Sequence, residues 1–124
     1  DNLKHMNERF GHQAGDKLLK DVSDLITKNT RDIDKIVRYG GEEFLIVFPE
    51  TAKPSAIMVA ERIRQSIGAQ TFILPNGKPG ISITISAGIA SFPAEGKTGS
   101  EIIKKADDML YKAKSECKNI VKGE

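Results

Sequence analysis

Arg38-Tyr39-Gly40-Gly41-Glu42-Glu43-Phe44 is the stretch that decides the fold. Ile36-Val37 leads into the two glycines, and Leu45-Ile46-Val47-Phe48 continues beyond Phe44. The order reads as strand, tight turn, strand: a β-hairpin with two acids at its tip. Gly40 and Gly41 supply the positive φ that a two-residue hairpin turn demands, and they let a ligand approach the backbone closely. Successive strand residues point to opposite faces, so Glu42 and Glu43 do not sit idle together on one solvated side. Two carboxylates beside an open glycine backbone suit a divalent cation and a phosphate. An ordinary surface turn can carry the same letters, so the flanking chain has to decide.

Outward from the hairpin, hydrophobic spacing sets the remaining elements. Leu18, Leu19, Val22, Leu25 and Ile26 recur at helical intervals and predict an amphipathic helix from about Ala14 to Asn29. The hairpin strands are expected over about Lys35–Tyr39 and Glu43–Phe48, the second stopped by Pro49. Ala56, Val59, Ala60, Ile63 and Ile67 predict a second helix of about fourteen residues, with Pro54 in its first turn and Gly68 closing it. A short strand, Thr71–Leu74, precedes the turn cluster Pro75-Asn76-Gly77-Lys78-Pro79-Gly80. Ile81, Ile83, Ile85, Ala87 and Ile89 alternate with small or polar residues, the pattern of a half-buried strand. Thr98-Gly99-Ser100-Glu101 fits a capping box for a third helix ending near Glu116, and Asn119-Ile120-Val121 suits a short last strand. This order predicts an α+β fold, an antiparallel sheet with helices packed on it.

Composition bounds the function. With 124 residues the chain suits one domain with a single core. Hydrophobic residues at 39% and charged residues at 29% are those of a soluble globular protein. The formal charge is only +2 and the basic residues are scattered among acids, which excludes a basic stripe for a nucleic-acid polymer. The single Cys117 excludes an internal disulfide and gives no metal-ligand spacing, so a reducing compartment is expected and the thiol reads as inert packing. His5 and His12 lack a zinc partnership. No apolar run approaches the about 20 residues of a membrane span and no secretory signal opens the sequence, so a cytoplasmic domain without membrane contact is expected.

Three further constellations accompany the hairpin: Asn7-Glu8-x-x-Gly11-His12-x-x-Gly15-Asp16, Arg31-Asp32-Ile33-Asp34, and Ala106-Asp107-x-x-Leu110-Tyr111-x-Ala113-Lys114. With Arg-Tyr-Gly-Gly-Glu-Glu-Phe they resemble the GGDEF (diguanylate cyclase) family in its GGEEF form, in order and over nearly the whole chain, from Asp1 to Val121. Glu8 stands where the family has Asp, and Cys117-Lys118-Asn119 where it has Gly-Arg-Asn, a divergence read as structural. By the same resemblance Asp1 aligns with the second Asp of a D-x-D motif. The metal-binding Asp, one strand and the first helix of the domain would then precede residue 1, leaving the domain N-terminally incomplete over 1–124.

The resemblance implies a ferredoxin-like, nucleotidyl cyclase-like palm that condenses two GTP into cyclic di-GMP and two pyrophosphates. It implies Mg²⁺ (or Mn²⁺) held by Glu42 and Glu43, with Glu42 also handling the attacking hydroxyl, and room for the nucleotide at Gly40 and Gly41. Asn2, Leu3 and Lys4 align with a turn whose N–H groups hold the triphosphate, and Lys104 with a lysine on the terminal phosphates. Asn7 and Asp16 would read guanine, whose N1–H and 2-amino group one carboxylate can accept together; His12 is a further base or phosphate contact. Arg31 and Asp34 match an inhibitory cyclic di-GMP site. Each half-site would hold one GTP, so a homodimer is implied, and an upstream sensory or receiver domain in a parent protein that can itself be membrane-anchored. Blander readings stay open: Asp16 as a first-turn helix carboxylate, Lys104 as a solvated helix lysine, Arg31 and Asp34 as a surface ion pair, Asn7 and His12 as turn residues. Two rival functions also remain, a catalytically inactive domain binding cyclic di-GMP or GTP, and another palm enzyme such as a polymerase.

Overall fold

A computed structural model describes residues 12–39, 43–73, 80–116 and 118–123. Its elements run α1 (His12–Lys28), β1 (Lys35–Arg38), β2 (Phe44–Val47), α2 (Lys53–Ala69), β3 (Ala87–Gly88), α3 (Gly99–Glu116) and β4 (Val121–Lys122). The described residues fall into two compact units, one drawn from residues 12–49 and 66–83, the other from 50–65 and 84–123. No helix among the described residues is long and apolar enough to cross a membrane.

The first unit holds α1 and the hairpin. The periodic stripe of α1 is the buried one: Leu18, Leu19, Val22 and Ile26 are all nearly inaccessible. The helix is closed by polar side chains that take its last carbonyls, Asn29 Nδ2 on Leu25 O at 2.8 Å and Thr30 Oγ1 on Ile26 O at 3.1 Å. β1 and β2 pair antiparallel in the register Lys35–Val47, Ile36–Ile46, Val37–Leu45, Arg38–Phe44. One further bond, Tyr39 N–H to Glu43 O at 2.7 Å, extends that register beyond the strands. The connection therefore spans residues 40–42, as the expected strand ends at Tyr39 and Glu43 imply, one residue more than a two-residue turn on the glycines. Those three residues lie outside the described ones. Of the expected strand at Thr71–Leu74, whose Leu74 lies outside the described residues, Phe72 forms an antiparallel bridge with Ile81, with bonds of 2.8 and 2.9 Å. Phe72 is buried there and Ile67 is fully enclosed.

The second unit is organised around α3. Glu101 N–H donates to Thr98 Oγ1 at 3.2 Å, so Thr98 caps as its sequence predicts. The Glu101 carboxylate, however, takes the N–H of Lys97 at 2.8 Å, one residue before the cap. α3 lies directly on β3: a Cβ on Gly88 would sit 2.1 Å from Ala106 O and 2.3 Å from Leu110 N. Only glycine allows that approach. Of the long alternating run at 81–89, only Ala87 and Gly88 form a strand, and their partner is β4, in parallel register Ala87–Val121 and Gly88–Lys122. This parallel pair accompanies the antiparallel hairpin, and it is possible because α3 supplies the long crossover that parallel strands need. The turn after α3 carries positive φ at Lys118 and Asn119, with Lys118 N–H bonded back to Ala113 O at 3.0 Å.

α2 is 17 residues long and runs to Ala69, past Gly68, which was expected to end it. A lone helical glycine costs only about 1 kcal/mol against alanine, too little to stop a helix whose neighbours Ile63 and Ile67 are buried. At its start, Lys53 Nζ donates to Glu95 Oε1 at 2.8 Å and to the carbonyl of Gly123 at 2.6 Å. Further along, Arg64 pairs with Glu61 and reaches Asn119 Oδ1 at 2.9 Å, while Asn119 N–H bonds Ser86 Oγ at 3.0 Å. Asn119 is thus tied into the framework.

Candidate functional site

The hairpin sets the position of Glu43. Alternation puts residues that face each other across an antiparallel pair on the same side of the ribbon. Glu43 is opposite Tyr39, and along the same face follow Val37 with Leu45 and Lys35 with Val47. Glu43 is half-buried, while Tyr39, Val37 and Val47 each expose about half of their surface. The expected second carboxylate, Glu42, and the glycines Gly40 and Gly41 lie outside the described residues. Among the described residues no three His, Cys, Asp or Glu side chains gather as a metal cluster. Glu43 is the one described member of the expected ligand pair, and its oxygen donors are of the kind a hard divalent cation takes.

The guanine constellation is partly in view. Asn2, Leu3, Lys4 and Asn7 lie outside the described residues, and of His12 only the backbone is described, as the first residue of α1. Asp16 is exposed on α1. Because the helix begins at His12 and not near Ala14, Asp16 falls beyond its first turn, which holds no acid. The macrodipole acts within about one turn of the terminus, so the bland account of Asp16 as a first-turn carboxylate loses its physical basis. Lys104 behaves otherwise: it is exposed on α3 and pairs with Asp108 at 3.2 Å across one helical turn. That is the arrangement of a solvated helix lysine.

Arg31 and Asp34 are the best-defined pair. The Asp34 carboxylate accepts from Arg31 N at 2.8 Å, Nη2 at 2.9 Å and Nε at 3.4 Å. Its side chain is only 2% exposed, whereas that of Arg31 is 52% exposed. The Arg31 side-chain hydrogen bond holds the Asp34 carboxyl below the usual carboxylate range, against the opposing effect of burial. Arg31 Nη2 also donates to the carbonyl of Pro49 at 3.1 Å, fastening the loop before β1 to the turn after β2. The expected partners meet, but Asp34 faces inward and Arg31 outward. Sequence gave no sign of the Pro49 contact, since a backbone carbonyl has no letter. Tyr39 was also missed as a neighbour of Glu43, though counting outward from the glycines to the closing pair would have found it. A cleft of about 270 Å³ between α1 and residues Gln70–Ile73, lined by Lys17, Asp21 and Lys28 among others, contains none of the expected site residues.

Three comparisons bear on this geometry. Over 123 residues the chain is 38% identical to Response regulator PleD of Caulobacter vibrioides, covering 99% of this chain and 27% of PleD. It thus spans about a quarter of that relative's length. The GGDEF domain of DgcB from Caulobacter crescentus, solved in complex with c-di-GMP, superposes with a TM-score of 0.90 at 29% identity, over 99% of this chain and 72% of that one. The active GGEEF domain of a diguanylate cyclase from Vibrio cholerae gives a TM-score of 0.84 at 32% identity, over 98% and 76%. The α+β architecture is accordingly the nucleotidyl cyclase palm that GGDEF domains share. Residues 1–120 match the family described as Diguanylate cyclase, GGDEF domain, and with the hairpin register and the shared backbone this places the chain in the GGDEF family.

Proposed function

We propose that this chain is the cyclase domain of a diguanylate cyclase, joining two GTP molecules into cyclic di-GMP. The observation that carries the reading is Glu43 at the closed end of the antiparallel hairpin, anchored by the Tyr39–Glu43 bond within Arg-Tyr-Gly-Gly-Glu-Glu-Phe. In each of two steps a ribose 3′-oxygen bonds to the α-phosphorus of the other GTP. The bond from that phosphorus to the β-phosphate bridging oxygen breaks, pyrophosphate leaves, and the hydroxyl proton passes by way of the Glu42 carboxylate to water. Glu42 and Glu43 would hold Mg²⁺ (or Mn²⁺), and Glu42 would also orient the attacking hydroxyl. A divalent cation so held supplies charge neutralisation at the phosphate and makes the hydroxyl a better nucleophile. Asp16 and Asn7 select guanine over adenine by accepting from donors that adenine lacks. Asn2, Leu3 and Lys4 hold phosphate oxygens, with His12 beside them and Gly40 and Gly41 leaving room for the nucleotide. Because each subunit brings one GTP, the working form is a homodimer of this cytoplasmic domain, with a sensory or receiver domain upstream in the parent protein.

Arg31 and Asp34 form the product site. An outward guanidinium fixed by an inward carboxylate suits recognition of a phosphate or of the acceptor edge of guanine. The same observation favours one second reading, a domain that binds cyclic di-GMP without making it. The deciding experiment is GTP turnover with Mg²⁺ by the full-length protein, with products separated by chromatography. Cyclic di-GMP that accumulates and then slows its own formation is expected, and Glu43→Ala abolishes it while leaving the protein folded. Absence of product, together with tight binding of added cyclic di-GMP, would establish the receptor instead.

A further inference from the structure

We infer that Tyr39 is a positioning residue for the metal-binding carboxylate of Glu43. The inference rests on the reading of Glu43 as a ligand and adds a group that no sequence motif assigns to the metal. The register of the hairpin leaves Tyr39 and Glu43 as its last pair, joined by the 2.7 Å bond from Tyr39 N–H to Glu43 O. Directly opposed residues carry their side chains on one face, with Cβ atoms about 5 Å apart. At this site one is a broad, half-exposed aromatic ring and the other a half-buried carboxylate on a flexible stem. Val37 pairs with Leu45 and meets Glu43 only on the diagonal, about 7–8 Å away, so the directly opposed ring is the cross-strand neighbour that confines the carboxylate. A glutamate so flanked has fewer rotamers to lose when it takes a cation, which raises affinity without any new bond to the ion. The ring does this work; the hydroxyl is not needed.

The test measures Mn²⁺ binding to the full-length protein by electron paramagnetic resonance, the relevant site being the one that Glu43→Gln removes. Tyr39→Ala is expected to weaken that site about three-fold, the scale of one directly opposed cross-strand pair, while Tyr39→Phe retains it. Val37→Ala, on the same face but one pair removed, serves as the control for hairpin stability. It is expected to lower the urea midpoint and leave Mn²⁺ affinity unchanged. Unaltered affinity in Tyr39→Ala would overturn the inference, as would an equal loss in Tyr39→Phe, which would mean that the hydroxyl acts, or in Val37→Ala, which would mean that hairpin stability alone acts. If Glu43→Gln removes no site at all, the reading of Glu43 as a ligand falls first.

Discussion

Arg31 and Asp34 show how far a single pair of residues can be read. Their spacing admitted a surface ion pair or a ligand grip, and the structure gives each residue a different half of those descriptions: one end buried, one end in water. Removing the buried end is the costlier change. Asp34→Ala removes the carboxylate that accepts from the Arg31 amide, Nε and Nη2 and is expected to lower stability by about 1–2 kcal/mol in urea denaturation. Arg31→Ala is expected to relieve product inhibition and leave the initial rate near that of the parent. An unchanged inhibition constant would separate this pair from the product. By contrast, Lys104 and Asp108 are both largely exposed, and Asp108→Asn should change stability by less than about 0.5 kcal/mol.

At the scale of elements, glycines mark where backbone meets backbone and where it does not. Gly88→Ala forces a Cβ into the carbonyl of Ala106 and the amide of Leu110, neither of which can swing aside. It is expected to destabilise by about 3 kcal/mol or more, read as a fall in urea midpoint. Gly68→Ala meets nothing within 4 Å and sits inside a continuous helix, so it should stabilise by about 0.5–1 kcal/mol. The helices were legible because burial follows a repeat that the letters display: the stripe Leu18, Leu19, Val22, Ile26 is the core face of α1. Strands were less so. Alternation at 81–89 tells which side chains share a face and says nothing about which backbone will pair, and only Ala87 and Gly88 found a ladder. In the hairpin the strand ends were legible at Tyr39 and Glu43, while the glycines, which advertise positive φ, understate the loop length that this closing pair fixes.

Across the whole molecule the charges share one design. Asp34, Glu61, Glu95 and Glu116 are all held below the ordinary carboxylate range, chiefly by hydrogen bonds from Arg31, Arg64, Lys53 and Lys122. A folded-state pKa below the unfolded one means stability that is fully present above about pH 4.5 and lost as pH falls through the folded values. The urea midpoint is therefore expected to stay level near neutrality and to fall steeply below about pH 4.5. Lys53→Met should make that fall shallower by removing the largest of the influences that hold Glu95 low. Of these four pairs only Arg31 with Asp34 was read from the sequence, although Glu61 and Arg64 stand at the same i,i+3 spacing. Lys53 and Glu95 are 42 residues apart, and only the folded chain introduces them. Distance along the chain has one more effect, on time. The amides of Ala87 and Ile89 bond to the carbonyls of Ile120 and Lys122, with all of α3 made in between. A ribosome adding about 5–20 residues per second thus leaves that strand edge bare for seconds, until almost the last residue of this sequence emerges. During synthesis it is β3, shielded so closely by α3 in the finished domain, that a chaperone has most reason to cover.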